Sequence, residues 1–160
     1  IVIIQQTTMK QILSLTLIAA LAVIPFTRST AAEATWSESY TEAQAKAESE
    51  GKPMLLLFTG SDWCGFCIKL EKSIFDSEEF AAYTDENYVL VKADFPRRKA
   101  QSKEQVKHNE KLAAEFGVEG FPTVLVVSPD GEKVLERKVG YGGDSPAEYI
   151  EGLKKYESQT

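Results

Sequence analysis

Residues 60–67 read GSDWCGFC and hold both cysteines of the chain, Cys64 and Cys67. Two thiols separated by two residues can form a reversible disulfide, hold a soft metal ion, or staple a fold. A staple this short closes a loop of only a few residues, and loop-closure entropy makes such a bridge nearly worthless for stability. Structural zinc wants four ligands, and beyond the two thiols the chain offers one histidine, His108, on a polar-rich helix where it reads as a solvated side chain. A copper or thiol-binding chaperone using the same two sulfurs stays open as an alternative, because soft thiolates suit Cu(I). Thiol–disulfide exchange is the favoured chemistry.

Exchange needs one sulfur held as a thiolate, so the flanking elements matter. Met54–Phe58 (MLLLF) is a continuous apolar run of strand length between Pro53 and Gly60, the pattern of a strand buried on both faces. Beyond the motif, Cys67, Leu70 and Ile74 recur at helical spacing. The cysteines therefore lie where a strand gives way to a helix, with Cys64 near the helix start. Unpaired N–H groups and a partial positive charge favour an anion there. Cys67, one turn on and within the apolar face, is expected to be more buried and less acidic. That asymmetry assigns attack to Cys64 and resolution of the mixed disulfide to Cys67.

The remaining elements follow from period and punctuation. Residues 36–53 predict an opening helix, with Tyr40, Ala43 and Ala47 on one face and Gly51 and Pro53 as the stop. Ser77 caps a short helix carrying Phe80 and Tyr83, and Tyr88–Phe95 is a second strand. Ser102 and Gln105 predict a capping box for a helix running to Phe116, closed by Gly117 as a left-handed cap. FPTVLVVS is a third strand, turned by Pro129–Gly131 into a fourth. Ser145, Pro146 and Glu148 start a last amphipathic helix. Alternating helices and strands followed by a hairpin predict an α/β domain, a mixed sheet with helices on both faces. Pro122 opens an interior strand without an N–H to donate, and a cis Phe121–Pro122 bond would account for it.

Bulk properties set bounds. A composition 43% hydrophobic and 26% charged suits a folded domain, and a net charge of -6 gives no reason to expect nucleic acid as a partner. The basic run Arg97–Lys99 reads as a solvated loop. From Met9, the expected start, Lys10, the apolar stretch Ile12–Phe26 and the AEA at Ala32–Ala34 make a secretory leader. Residues 1–34 are thus an upstream extension plus signal peptide, and residues 35–160 the domain. Export to a bacterial periplasm follows, with a membrane tether if the leader stays uncleaved.

With WCGFC, VEGFPT, the hairpin and the final helix in place, the chain resembles the thioredoxin superfamily from Trp36 to Tyr156. It is similar in particular to exported thioredoxin-like domains and to the C-terminal domain of DsbD-type membrane reductases. The resemblance implies a thioredoxin-like fold with a central sheet of four to five strands. It implies Cys64 as nucleophile, Cys67 as resolving thiol and a cis Pro122 beside them. Trp63, Gly65, Phe66 and Phe121 would line the substrate groove. Two departures stand out. Where thioredoxin carries a buried acid in the preceding strand, this chain has Phe58, which leaves water or Asp62 to move protons; Lys92 matches a thioredoxin lysine that would steady a thiolate. Between the cysteines stand Gly65 and Phe66, with neither proline nor histidine. That dipeptide implies a potential between about −270 and −180 mV, the thioredoxin and isomerase values. The implied activity is protein-disulfide oxidoreduction, reductase rather than oxidase or isomerase. No cofactor beyond the Cys64–Cys67 disulfide is implied. Exported proteins with disulfides would be substrates, a membrane redox protein the recharging partner, and the molecule a monomer.

Overall fold

The structure, a computed structural model, describes residues 33–157. All but the last two residues of the expected leader, and the last three of the chain, lie outside the described residues. In chain order the elements are β1 (Trp36–Ser37), α1 (Tyr40–Glu50), β2 (Met54–Thr59), α2 (Gly65–Leu70), α3 (Glu78–Asn87), β3 (Val89–Asp94), α4 (Lys103–Glu115), β4 (Thr123–Val127), β5 (Val134–Val139) and α5 (Pro146–Lys154). A wide π-helical turn, Glu71–Phe75, continues α2.

Five strands form one sheet in the order β1-β3-β2-β4-β5. β3 runs parallel to β1 and β2, while β4 runs antiparallel to β2 and β5. The apolar run of β2 is buried because both of its faces are covered. Leu55 and Leu57 pack with Leu70, Ile74 and Phe75 below the motif, and with Tyr149, Ile150 and Leu153 of α5. Met54, Leu56 and Phe58 face the other way, against Ala43 and Ala47 of α1, Leu112 of α4, and Phe116. Each such leucine contributes about 1.5–3 kcal/mol by burial, so truncating one would loosen the strand that presents the cysteines. The wide turn lets consecutive Ile74 and Phe75 both reach the core.

Two local expectations are corrected. Trp36 is not helical: it stands on β1, opposite Leu90, and its ring lies 5.4 Å from Phe75 and 6.4 Å from Phe80. The helix starts only at Tyr40, after Ser39 caps it. Ser102 does accept the Gln105 N–H, but the Gln105 side chain does not reach back to complete the box. It donates instead to Glu38 O and to Asn109 Oδ1, whose own amide donates to Asp94 O. Satisfying a buried asparagine outweighs a second cap bond. At Ser145 and Glu148 the box is complete.

Candidate active site

The sheet order brings three distant segments to one edge. β2 and β3 are parallel, so their C-terminal ends lie together, and β4, antiparallel to β2, begins where β2 ends. Gly60–Cys67 after β2, the loop from Phe95 after β3, and Gly120–Pro122 before β4 therefore meet.

The turn into the motif is tight. Gly60 O accepts the N–H groups of Trp63 at 3.2 Å and Cys64 at 2.9 Å. The Trp63 indole lies so close over Gly60 that a Cβ there would stand 2.5 Å from it, which leaves room for glycine alone. Asp94 anchors the same turn by accepting the Ser61 N–H at 2.9 Å. Trp63 Nε1 donates to Phe95 O at 2.7 Å, and its ring meets Phe121 edge-on with centroids 6.0 Å apart. Phe121 stacks on Phe95 at 4.9 Å and precedes Pro122 through a cis peptide bond. Indole and two phenyl rings thus pack together next to the cysteine motif, and Phe121 leads directly into Pro122.

Cys64 is the N-cap of α2, and its Sγ accepts the Cys67 N–H at 3.3 Å. The two sulfurs are bonded, with Cα atoms 5.2 Å apart. Cys64 is 9% exposed and Cys67 fully buried. Once the bridge opens, the Cys64 sulfur faces an amide donor and a helix N-terminus, both of which favour negative charge on it. Phe66 is 65% exposed and Gly65 has open space around it, so the intervening dipeptide forms the outer rim.

Asp62 has a different task from the one expected. Its carboxylate accepts three successive amide N–H groups, from Arg97 at 2.9 Å, Arg98 at 2.7 Å and Lys99 at 2.9 Å. Those donors, the Arg97 amide foremost, hold its carboxyl below the usual range. A carboxylate so engaged stays ionised and anchors a loop; it is a poor proton carrier. Lys92 is likewise occupied. Its Nζ lies 2.8 Å from Glu71 Oε2 and 5.2 Å from the Trp36 ring centroid, so its charge is shared with a carboxylate instead of standing free for a sulfur.

Glu71 is the residue that sequence reasoning missed. It follows Cys67 by one helical turn, a spacing that places both on one side of the helix. Its other oxygen accepts the hydroxyl of Thr59, a fully buried residue at the end of β2, at 2.9 Å. Phe58 points to the opposite face of the sheet, near Phe116. The carboxylate behind the motif thus comes from the helix and not from the strand, and the Cys67–Glu71 spacing was the available signal. His108, expected to be solvated, accepts the Tyr40 N–H through Nε2 at 3.4 Å. Among the described residues no three His, Cys, Asp or Glu side chains gather as metal ligands would.

Residues 40–157 match the family described as Thioredoxin-like domain. The chain belongs to the thioredoxin-like domain family. This thioredoxin-like chain is 36% identical over 124 residues to the disulfide bond reductase DsbH of Chlamydia pneumoniae, covering 78% of this chain and 73% of that protein. To the thioredoxin-related protein DsbJ of the same organism it is 27% identical over 110 residues, 69% of this chain but only 31% of DsbJ. A solved DsbH oxidoreductase matches with a TM-score of 0.74 and 34% identity, over 86% of this chain and 94% of that one. The oxidised C-terminal domain of DsbD from Neisseria meningitidis shares the fold, with a TM-score of 0.53, 20% identity, and coverage of 76% and 98%. With its paired cysteines, this thioredoxin-like domain is a thiol–disulfide oxidoreductase.

Proposed function

We propose that the chain is an exported, monomeric reductase of disulfides in other exported proteins. The observation that carries this is the inequality of the two sulfurs. Cys64 keeps a small exposed fraction, 9%, and accepts an amide N–H, while Cys67 lies fully buried one turn behind. Similarity to a disulfide bond reductase supports the direction, and the leader-like pattern in residues 1–34 supports export.

In the forward reaction the Cys64 thiolate attacks one sulfur of a substrate disulfide. That bond breaks, the far substrate sulfur leaves as a thiolate, and a mixed disulfide remains on Cys64. Cys67 then attacks Cys64 Sγ and releases the second substrate sulfur; its proton ends on a substrate thiolate. Two electrons have passed to the substrate, which leaves as one thiol and one thiolate; water protonates the second sulfur to give the dithiol. The Cys64–Cys67 bridge is the oxidised end state. A membrane-bound dithiol donor recharges the pair by the same exchange in reverse, so no further cofactor is needed. Trp63, Gly65, Phe66, Phe121 and Pro122 form the groove that holds the substrate beside Cys64.

Insulin reduction with dithiothreitol tests the chemistry. Cys64→Ser abolishes turnover, and undiminished turnover in that variant refutes the assignment. Thiol trapping in cells tests direction: a pair kept mostly reduced is expected, and a mostly oxidised pair would make the protein an oxidase.

A further inference from the structure

The loop after β3 carries Arg97, Arg98 and Lys99, all exposed, in a chain whose net charge is -6. A solvated surface loop has no need of the fastening found here. Asp62, two residues before Cys64, accepts all three of its successive amides. Phe95, at the loop's start, takes the Trp63 indole N–H and stacks on Phe121. The Arg97 guanidinium lies over the Trp63 ring with its central carbon 3.6 Å from the ring centroid, close enough for a cation–π contact. The loop is thus tied to Asp62 and Trp63, the two residues before the reactive cysteine, and to Phe121, the one before the cis proline.

The fastening fixes where the charges stand. With their amides held by Asp62, the three residues carry exposed cations on a loop whose Arg97 lies over Trp63, the neighbour of Cys64. Asp62 offsets one of them, and the side chains of Arg97, Arg98 and Lys99 make no ion pair among the described residues. A positive rim on a negative protein attracts acidic chains locally while the remaining surface repels them. Fields of this kind act chiefly on the rate of encounter, and salt weakens them.

We propose that the Arg97–Lys99 segment is a substrate-selecting rim that favours disulfides flanked by acidic side chains in the polypeptide being reduced. This rests on the exchange reaction proposed above and names its substrate class. Arg97, held on Trp63, sets the inner boundary of the rim, and Arg98 and Lys99 are its outer cations, Arg98 partly offset by Asp62. Glu119, exposed two residues before Phe121 in the chain, carries an opposite charge on the segment leading into β4, so the preference is assigned to the loop after β3.

The test uses the reduced protein and three fluorogenic disulfide peptides of one core sequence, flanked by glutamate, serine or lysine. At an ionic strength of about 10 mM, where the Debye length is about 30 Å, the acidic peptide is expected to react about tenfold faster than the basic one. At about 1 M salt, with a Debye length near 3 Å, the ratio should fall towards one. R98E/K99E should reverse the preference, and R98Q/K99Q should flatten it. Each ratio is internal to one protein, so a general loss of activity cancels. Equal rates on all three peptides at low salt would overturn the rim alone, as would a tenfold acidic preference that persists in R98E/K99E. Failure to reduce any of the three would remove the exchange reading and the rim with it.

Discussion

The assignment of Cys64 as the attacking sulfur has a kinetic consequence whose size follows from the structure. The relevant perturbation is Cys67→Ala, which removes the competing thiol and keeps the amide that donates to Cys64 Sγ at 3.3 Å. A hydrogen bond to a charged acceptor is worth about 1.5 kcal/mol and a helix N-terminus about 0.5 kcal/mol at a partly exposed position. Together they favour the thiolate by about 2 kcal/mol, which raises its population about 30-fold at pH values where the thiol dominates. A stabilised thiolate is also a weaker nucleophile. With a Brønsted coefficient of about 0.5, about fivefold of the gain is given back, and the net acceleration is about sixfold.

The assay is iodoacetamide alkylation of Cys67→Ala across pH, in native buffer and in denaturant. Near pH 6 the native protein should react about sixfold faster than the unfolded one. Above about pH 10, where both thiols are ionised, the order should invert and the native protein should be about fivefold slower. The crossover is the diagnostic feature. Mere accessibility would make the native sulfur slower throughout, and a native rate below the unfolded rate at pH 6 would refute the capping argument.

Glutathione equilibration should place the potential between about −270 and −180 mV, and a value near −120 mV would show that the two residues between the cysteines do not set it as supposed. Glu71→Ala strips the partner from a buried Thr59 hydroxyl and from Lys92, so urea denaturation should show a loss of about 2–3 kcal/mol; Glu71→Gln keeps the hydroxyl bond and should cost about 1 kcal/mol. Because its folded carboxyl is held below the ordinary value of 3.8, Asp62 stabilises the loop fully above that pH, and the contribution is lost as pH falls through the depressed value. Trp63 fluorescence should report the release at low pH, and Asp62→Ala should remove that pH-dependent step.

Most of the scaffold was legible because it rests on local periodicity. The apolar run of β2, the serine caps at Ser77 and Ser145, and the left-handed Gly117 are each decided by their own neighbours in the chain. Both cysteines were legible for the same reason: a strand, a tight turn and a helix start leave little freedom in where residue 64 goes. What was hidden depends on contacts across the sheet. Trp36 looks helical in its own segment, yet joins the sheet because Phe75 and Phe80 offer aromatic surface beside it. Asp62 looks like a proton carrier when seen next to cysteine, but its partners are amides thirty-five to thirty-seven positions away in the chain. Glu71 was hidden because the acid in thioredoxin stands on the strand, at the position that Phe58 occupies here. Alternation along β2 sends Phe58 to the α1 and α4 side and leaves Thr59 to face Glu71.

The same sheet order explains how chemistry and selection stay separate while being adjacent. The cysteines sit on the connection leaving β2, a central strand covered on both faces, so their geometry is fixed by the core. The cations sit on the connection leaving β3, beyond Phe95, which packs on the core and on Phe121, and they are held to the motif through Asp62 and Trp63. Side-chain charge at residues 97–99 can therefore change while the amides that Asp62 holds, common to every residue but proline, stay in place. On the proposed reading, reversing charge at Arg98 and Lys99 redirects the domain from acidic to basic substrates without moving either sulfur, while Arg97 keeps its place on Trp63.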